Sequence, residues 1–212
     1  RGWEPDDHEV AALDVSLILY AEHGFNASTF TARVVSSTLS DIHASIVAAI
    51  GALAGPLHGG ANEKAMEMLE QIGSAAEAEQ WVLDALAEKR KIMGFGHREY
   101  QTGDSRVPIM KAVGRNLANV LENNRWVDIA DVVERTMDRE KGIFPNVDFP
   151  CSYVYYMLGI PIQLYTPIFV SSRVAGWAAH IIEQLANNRL IRPAHHYRGP
   201  TWRHFSPLSE RG

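Results

Sequence analysis

Three polar residues sit at breaks in otherwise helical sequence, and their types suit proton transfer at carbon. They are His58 in Gly55-Pro56-Leu57-His58-Gly59-Gly60, His97 in Gly94-Phe95-Gly96-His97, and Asp148 in Pro145-Asn146-Val147-Asp148-Phe149-Pro150. Two histidines and one carboxylate can make a base that removes a proton from carbon, a neutral imidazole that donates to the resulting enolate oxygen, and a second donor on an electrophile. Taken singly each has a plainer use, since a histidine after a glycine is commonly a helix cap or a buried ring with its hydrogen bonds made. Arginines form a second group: Arg106 in Asp104-Ser105-Arg106, Arg173 before Val174-Ala175-Gly176-Trp177, and Arg192 before Pro193. A guanidinium fork matches a carboxylate, so the apolar-flanked Arg173 calls for an anionic partner, either a ligand or one of the chain's own 25 acidic residues.

Other chemistries fit less well. His180 and Glu183 share a helix face and His195 and His196 are adjacent, but no Glu-flanked i, i+4 histidine pair occurs, so a zinc site is the weaker reading. Cys151 has no base beside it and reads as a small core residue. The glycines from Gly55 to Gly60 lack the Lys-Ser/Thr ending of a phosphate loop, and by spacing alone Gly94-Phe95-Gly96 is a weak cradle.

The elements that must position these residues read as helices throughout. Capping chemistry at Asp6 and Asp7 and the spacing of Val10, Leu13, Leu17, Ile18 and Ala21 predict a helix from about His8 to Glu22. Gly24 can stop it, and Ser28 or Thr29 can cap a second helix through Thr38. A third, Ile42 to Ala54, is capped by Ser40 or Asp41 and so poor in charge that burial on most sides is expected. Further helices are predicted over Ala61–Ile72, Ala75–Arg90, Val107–Leu121, Val127–Lys141, Cys151–Leu158 and Ile168–Asn187, with Gly142 to Pro150 irregular and the tail from Pro193 an extended arm. No segment alternates with period two between hairpin signals, so the fold class is all-α.

Composition sets the outer limits. With 212 residues the chain can bury roughly 70% of its unfolded surface. Its 20 Lys and Arg against 25 Asp and Glu give a net charge of −5 without like-charge blocks, which disfavours nucleic acid as a partner while leaving a small anion open to local arginines. A single cysteine rules out an intrachain disulfide framework and favours a reducing intracellular compartment, the cytoplasm being expected and the mitochondrial matrix the alternative. No apolar run reaches the 18 or so residues of a membrane span, and the polar start does not read as a signal peptide.

The order and wording of these stretches resemble the citrate synthase family, which includes the 2-methylcitrate synthases. The matching segments are Ala21 to Phe30, Gly55 to Glu63, Met93 to Arg98 with Asp104-Ser105-Arg106, Phe144 to Phe149, and Tyr165 to Phe169 running through Arg173, Gly176-Trp177 and His180. The resemblance implies that Asp148 takes the α-proton of an acyl-CoA thioester, that His58 donates to the thioester oxygen, and that His97 polarises the ketone of oxaloacetate. His23, Arg106, Arg173 and Arg192 would hold its oxygens and carboxylates, with Arg192 reaching toward another subunit. Met93, Gly94, Phe95 and Gly96 would bind coenzyme A, and no metal or prosthetic group is expected, CoA being a cosubstrate.

The family fold is an all-α homodimer in which a small domain closes on a large one. Carried over, residues 1–57 and 153–212 belong to the large domain and 58–152 to the small, CoA-side domain. The chain resembles the C-terminal half of the family, so the N-terminal half is expected from elsewhere, a separate chain being one source. Two departures stand out: Phe149-Pro150-Cys151-Ser152 follows the aspartate where many members have an aromatic and Ser-Gly, and Ala194 follows Arg192-Pro193 where many have another arginine. The wording around Gly176 to Gln184 leans toward the methylcitrate branch. One methylene discriminates acetyl-CoA from propionyl-CoA by only about 1 to 3 kcal/mol, so both substrates are carried forward. The rival from another class is a non-catalytic helical subunit, and a third, weaker one is a metal-binding protein using His180, His195 and His196.

Overall fold

The computed structural model describes residues 4–97, 100 and 103–211. Arg98, part of the matched glycine-histidine segment, lies outside the described residues. Among those described, nine α-helices and two short 3-10 turns account for all regular structure, and the only pairing of extended backbone is a single bridge, Phe95 with Pro145. The helices are α1 (Asp7–Ala21), α2 (Ala27–Ser37), α3 (Ile42–Leu53), α4 (Ala61–Ile72), α5 (Ala75–Ala87), α6 (Val107–Val120), α7 (Arg125–Lys141), α8 (Asp148–Met157) and α9 (Tyr165–Ala186). The fold class is therefore the expected all-α one.

Local chemistry accounts for most helix starts. Asp6 accepts from the Glu9 N–H, and the Glu9 side chain accepts from the Asp6 N–H, a reciprocal cap for α1. Asp41 accepts from the Ala44 N–H and caps α3. For α2 the cap is Asn26, whose Oδ1 accepts from the Thr29 N–H, not the expected Ser28 or Thr29. Those two residues already lie inside the helix, and Ser28 is thereby released for other bonds.

Two helices begin earlier than the sequence suggested. Pro150 and Pro167 read as breakers, yet each sits in the first turn, of α8 and α9 respectively, where a missing N–H removes no intrahelical bond. Asp148 consequently opens a helix instead of closing a loop. Its own N–H donates to Asn146 Oδ1 at 3.1 Å.

Helices α4 to α8 pack on one another around a closed core that includes Met66, Leu69, Met110, Leu117, Phe149 and Tyr153. Helices α1, α2, α3 and α9 form a second group, with α9 against the other three, and α1 also touches α6 and α8. The inward face of α1 is Ala12, Ser16 and Tyr20, while Val10 and Ile18 point outward at 52% and 65% exposure. The expected apolar stripe of this helix is thus only partly its buried one. Small residues turn inward because the helices approach closely: a Cβ on Gly176 of α9 would stand 2.3 Å from the Ala21 carbonyl oxygen. Helix α3 is likewise not buried on most sides; it buries Ser45, Ala49 and Leu53 and leaves Val47 68% exposed. Its low charge marks a surface left uncovered by the described residues rather than a core position.

Candidate active site

The border between the two helix groups gathers most of the residues singled out above. Tyr20 and His23 come from the end of α1, Ser28 from α2, and Arg173 and Trp177 from α9. From the other side come His58 ahead of α4, His97 and Arg106 ahead of α6, and Asp148 at the start of α8. The loops that carry His97 and Asp148 are laced together. Gly96 N–H donates to the Phe144 carbonyl at 2.9 Å, Asn146 N–H to the Gly94 carbonyl at 2.9 Å, and Asn146 Nδ2 to the Gly96 carbonyl at 3.0 Å. Gly94 has a φ of +78° and no room for a side chain, since a Cβ there would lie 2.7 Å from that of Phe149.

His58 is held by Ser28. The Ser28 N–H donates to His58 Nε2 at 3.3 Å, and Ser28 Oγ lies 2.8 Å from the same nitrogen. A backbone N–H can only donate, so this bond is made where Nε2 accepts and the neutral ring carries its proton on Nδ1, the single Ser28 hydroxyl proton then being shared between Nε2 and Asn26 Oδ1. Ser28 Oγ is itself fixed, accepting from Trp177 Nε1 at 3.1 Å and lying 2.8 Å from Asn26 Oδ1. Burial first, and then the Arg173 charge, push the imidazole down to about 4, so His58 is neutral at physiological pH.

A second histidine pair follows the same logic. His23 Nε2 lies 3.2 Å from His97 Nε2 and 3.4 Å from Arg106 Nη2. The guanidinium can only donate, so His23 Nε2 accepts and His97 presents an Nε2–H. The Tyr100 N–H donates to His97 Nδ1 at 3.4 Å, in keeping with that tautomer, and the two rings stack at 4.4 Å. Burial, then Arg106, lower His23 to about 4 as well. Arg106 is paired with Asp104 through Nη2 to Oδ2 at 2.7 Å and Nε to Oδ1 at 3.0 Å, and Asp104 Oδ2 also accepts the Val147 N–H. That buried carboxylate ties the arginine to the start of α8.

Arg173 differs. It is 1% exposed, donates from Nε to the Tyr20 carbonyl at 2.5 Å, lies 4.8 Å over the Phe169 ring, and has no ion-pair partner among the described residues. Its Nη1 is buried without a hydrogen-bond partner. Burial, then the charge of Arg106, lower this guanidinium to about 10. A structural ion pair, the plainer use weighed for this residue, is therefore not what the fold makes of it. The Phe169 ring also meets Tyr20 at 3.9 Å and His58 at 6.2 Å, so one aromatic plate supports three polar groups. Asp148 accepts from the Tyr20 hydroxyl at 2.6 Å. Burial raises its carboxyl to about 6, opposed by that hydrogen bond and by Arg106 and Arg173.

Beside these groups opens a cleft of about 500 Å³ lined by His23, Phe25, Asn26, Ala27, Phe30, Leu57, His58 and His97. Leu57 is shared with a neighbouring cleft of about 430 Å³, where Met93, Gly94, Phe95 and Gly96 meet Arg90, Lys91 and Lys141. Arg192 is not brought to this place; it stands exposed on the tail after α9. Cys151 is a buried free thiol pushed upward by burial. His180 engages Glu22 at 2.8 Å and Arg33 at 2.9 Å, His195 and His196 lie exposed on the tail, and the described residues include no metal-ligating group of three. Sequence reasoning passed over Tyr20, gave Ser28 only a capping role, and left Asp104 and Trp177 within matched stretches without a task.

The family model described as citrate synthase, C-terminal domain, matches residues 1–194. The chain belongs to the citrate synthase family. It is 52% identical over 198 residues to the citrate synthase of Mycolicibacterium smegmatis, covering 93% of this chain and 53% of that protein. With the 2-methylcitrate synthase of Mycobacterium tuberculosis H37Rv it shares 53% identity over 198 residues, covering 93% and 50%. Among solved structures, the ternary complex of carboxymethyl coenzyme A and oxaloacetate with the citrate synthase of Thermoplasma acidophilum superposes with a TM-score of 0.91 at 40% identity, covering 99% of this chain and 57% of that one. The chain thus spans about half the length of the citrate synthases and 2-methylcitrate synthases it matches.

Proposed function

We propose that this chain carries the condensing site of a citrate synthase-type enzyme, which joins acetyl-CoA or propionyl-CoA to oxaloacetate and hydrolyses the thioester to release CoA and citrate or 2-methylcitrate. The observation that carries the reading is the convergence of His58, His97, Asp148, Arg106 and Arg173 at the border of the two helix groups, and their protonation states agree with it. A carboxyl near 6 and imidazoles near 4 leave, at neutral pH, an ionised base beside neutral donors. Arg173, buried with an unpaired N–H and no carboxylate of its own, suits a dicarboxylate substrate.

In this reading Asp148 removes the α-proton of the thioester while His58 Nδ1–H meets the charge that forms on the thioester oxygen. His97 Nε2–H turns from His23 to the ketone oxygen of oxaloacetate, and His23, Arg106 and Arg173 hold the rest of that molecule. The α-carbon attacks the ketone carbon, and water then cleaves the citryl-type thioester. A carboxylate can deprotonate so weak a carbon acid only where placed donors meet the enolate charge in a site that excludes water. The cleft at Met93 to Gly96, apolar with cations at its rim, suits a coenzyme A chain and its phosphates.

Residues 58–152 serve as the small closing domain in this scheme, with 1–57 and 153–212 in the large one. The uncharged outer face of α3 supports a homodimer or higher oligomer, in which Arg192 reaches a neighbouring subunit. The N-terminal half comes from the same polypeptide or a second one, and the buried lone thiol fits a reducing, cytoplasmic setting. No metal or prosthetic group takes part in the scheme. A non-catalytic subunit would leave the buried, unpaired Arg173 without a reason.

The deciding experiment is release of free CoA by the purified native assembly, with its intact mass recorded, from oxaloacetate with acetyl-CoA and then with propionyl-CoA. Oxaloacetate-dependent release is the expected result, and the faster thioester names the product. No release from an assembly that includes the N-terminal half would overturn the proposal.

A further inference from the structure

The inward face of α1 ends in a group for which the reaction above has no use. Tyr20 is completely buried, its ring is clamped against Phe169 at 3.9 Å, and its carbonyl receives Arg173 Nε at 2.5 Å, so neither ring nor backbone is free to shift. From that fixed frame the hydroxyl reaches Asp148 Oδ1 at 2.6 Å, across 128 residues of sequence and the border between the two helix groups. We infer that Tyr20 is a positioning residue for Asp148: its hydroxyl fixes the rotation of the carboxylate at Oδ1 and leaves Oδ2 as the oxygen that takes up the proton. The inference rests on the reading of Asp148 as the base.

The direction of the bond is settled by chemistry. Burial and the neighbouring carboxylate hold the Tyr20 phenol well above its ordinary value, so it stays protonated and donates. Proton transfer then balances at one atom: the substrate C–H bond breaks, an O–H bond forms at Oδ2, and the electron pair moves into the enolate whose oxygen faces His58. Donation to Oδ1 favours the charged carboxylate over the neutral acid, because hydrogen bonds to ionised acceptors are the stronger ones. The other charged or titratable groups that act on Asp148 are Arg106 and Asp104 ahead of α6, Arg173 on α9, and Cys151 and Tyr155 on α8. Removing the Tyr20 donor alone therefore raises the carboxyl further and frees its rotation.

Tyr20→Phe keeps the ring and deletes the donor. In the native assembly, the acid limb of kcat/KM for the acyl-CoA should move up by about one pH unit, and the rate on the alkaline plateau should fall by roughly tenfold from lost orientation. A fluorinated tyrosine at position 20, a stronger donor of the same shape, should move the limb the opposite way. A merely structural role would lower the plateau without moving the limb in either variant, and that outcome would overturn the inference. Asp148→Asn separates the two claims through exchange of the acyl-CoA α-proton with solvent. Exchange that persists in Asp148→Asn removes the base itself; exchange lost there, with the limb unmoved in both Tyr20 variants, removes only the role of Tyr20.

Discussion

Helices α4 to α8 and helices α1, α2, α3 and α9 solve different problems. The first group closes on itself: Met66, Leu69, Met110 and Leu117 are at most 1% exposed, and its apolar faces meet one another. The second turns small and polar residues inward, among them Ser16, Ser28, Ser45, Ser172 and Arg173, and leaves Val47, Ile18 and Ile182 each at least 65% exposed. Inward serines are not a failed core. Tyr155 donates to Ser16, Ser172 donates to the Leu17 carbonyl, and Ser28 serves His58, so these helices use close approach and hydrogen bonds where the others use apolar volume. The groups proposed to move or donate protons, His58, His97 and Asp148, come from the segment that contains α4 to α8. Those that hold them, Tyr20, Ser28, Arg173 and Trp177, come from the outer helices.

That division can be broken at several points. Asp148→Asn should cut turnover about a thousandfold while oxaloacetate binding stays near normal, as measured by CoA release and by titration with oxaloacetate. Retained turnover would remove the base from the inner segment. Leu69→Ala, in the closed core, should destabilise by about 2 to 5 kcal/mol in denaturant unfolding, the range for a buried Leu replaced by Ala. Arg173→Met should weaken oxaloacetate binding by about 2 to 4 kcal/mol with a smaller loss of stability, because the guanidinium it removes has a buried Nη1 without a partner and only its Nε bond to the Tyr20 carbonyl to lose. A drop in stability with unchanged affinity would turn this outer residue into a structural one.

The pH dependence of stability gives a finer test. His23 and His58 sit near 4 in the folded chain against an ordinary 6.5, so the unfolded chain takes up their protons first and their contribution is lost as pH falls through that window. Asp148, raised from 3.8 to about 6, works in the opposite direction over much of the same range. Two groups outweigh one, and the thermal midpoint should fall on acidification from 6.5 toward 4. His23→Gln combined with His58→Gln should shrink that fall, leaving Glu22 and Asp104, both held below their ordinary values by their partners, to act against Asp148. The smallest effect is expected at Val47→Ser, within about 0.5 kcal/mol for the chain by itself; a larger loss confined to the assembly would show that a partner covers α3.

Much of this was legible in the residues. The bounds of α4 follow from Gly60 and Gly73 on either side, and the caps Asp6 and Asp41 mark α1 and α3 because side chain and backbone meet within three residues. The glycine breaks pointed to His58 and His97 for a local reason, as only a loop or helix start lets such a ring face a cleft. Legibility failed where the deciding contact was distant. Tyr20 sits one position from the apolar stripe of α1 and is chosen for burial by Phe169 and Asp148, which no local pattern announces. Pro150 and Pro167 misled because a proline's meaning depends on whether it stands in a helix's first turn or its interior.

The sequence by itself determined the helices, the loops that interrupt them, the family, and the residue types brought to the site, since each depends on short-range periodicity, capping and wording. Only the tertiary structure decided which face of α1 and of α3 turns inward, that Arg173 is left without an ion pair while Arg106 has one, and that a phenol meets the carboxylate. Apart from the Asp104–Arg106 pair, which is local, those outcomes depend on burial and on partners distant in sequence, and burial sets both the cost of a charge and the proton affinity of the group that carries it.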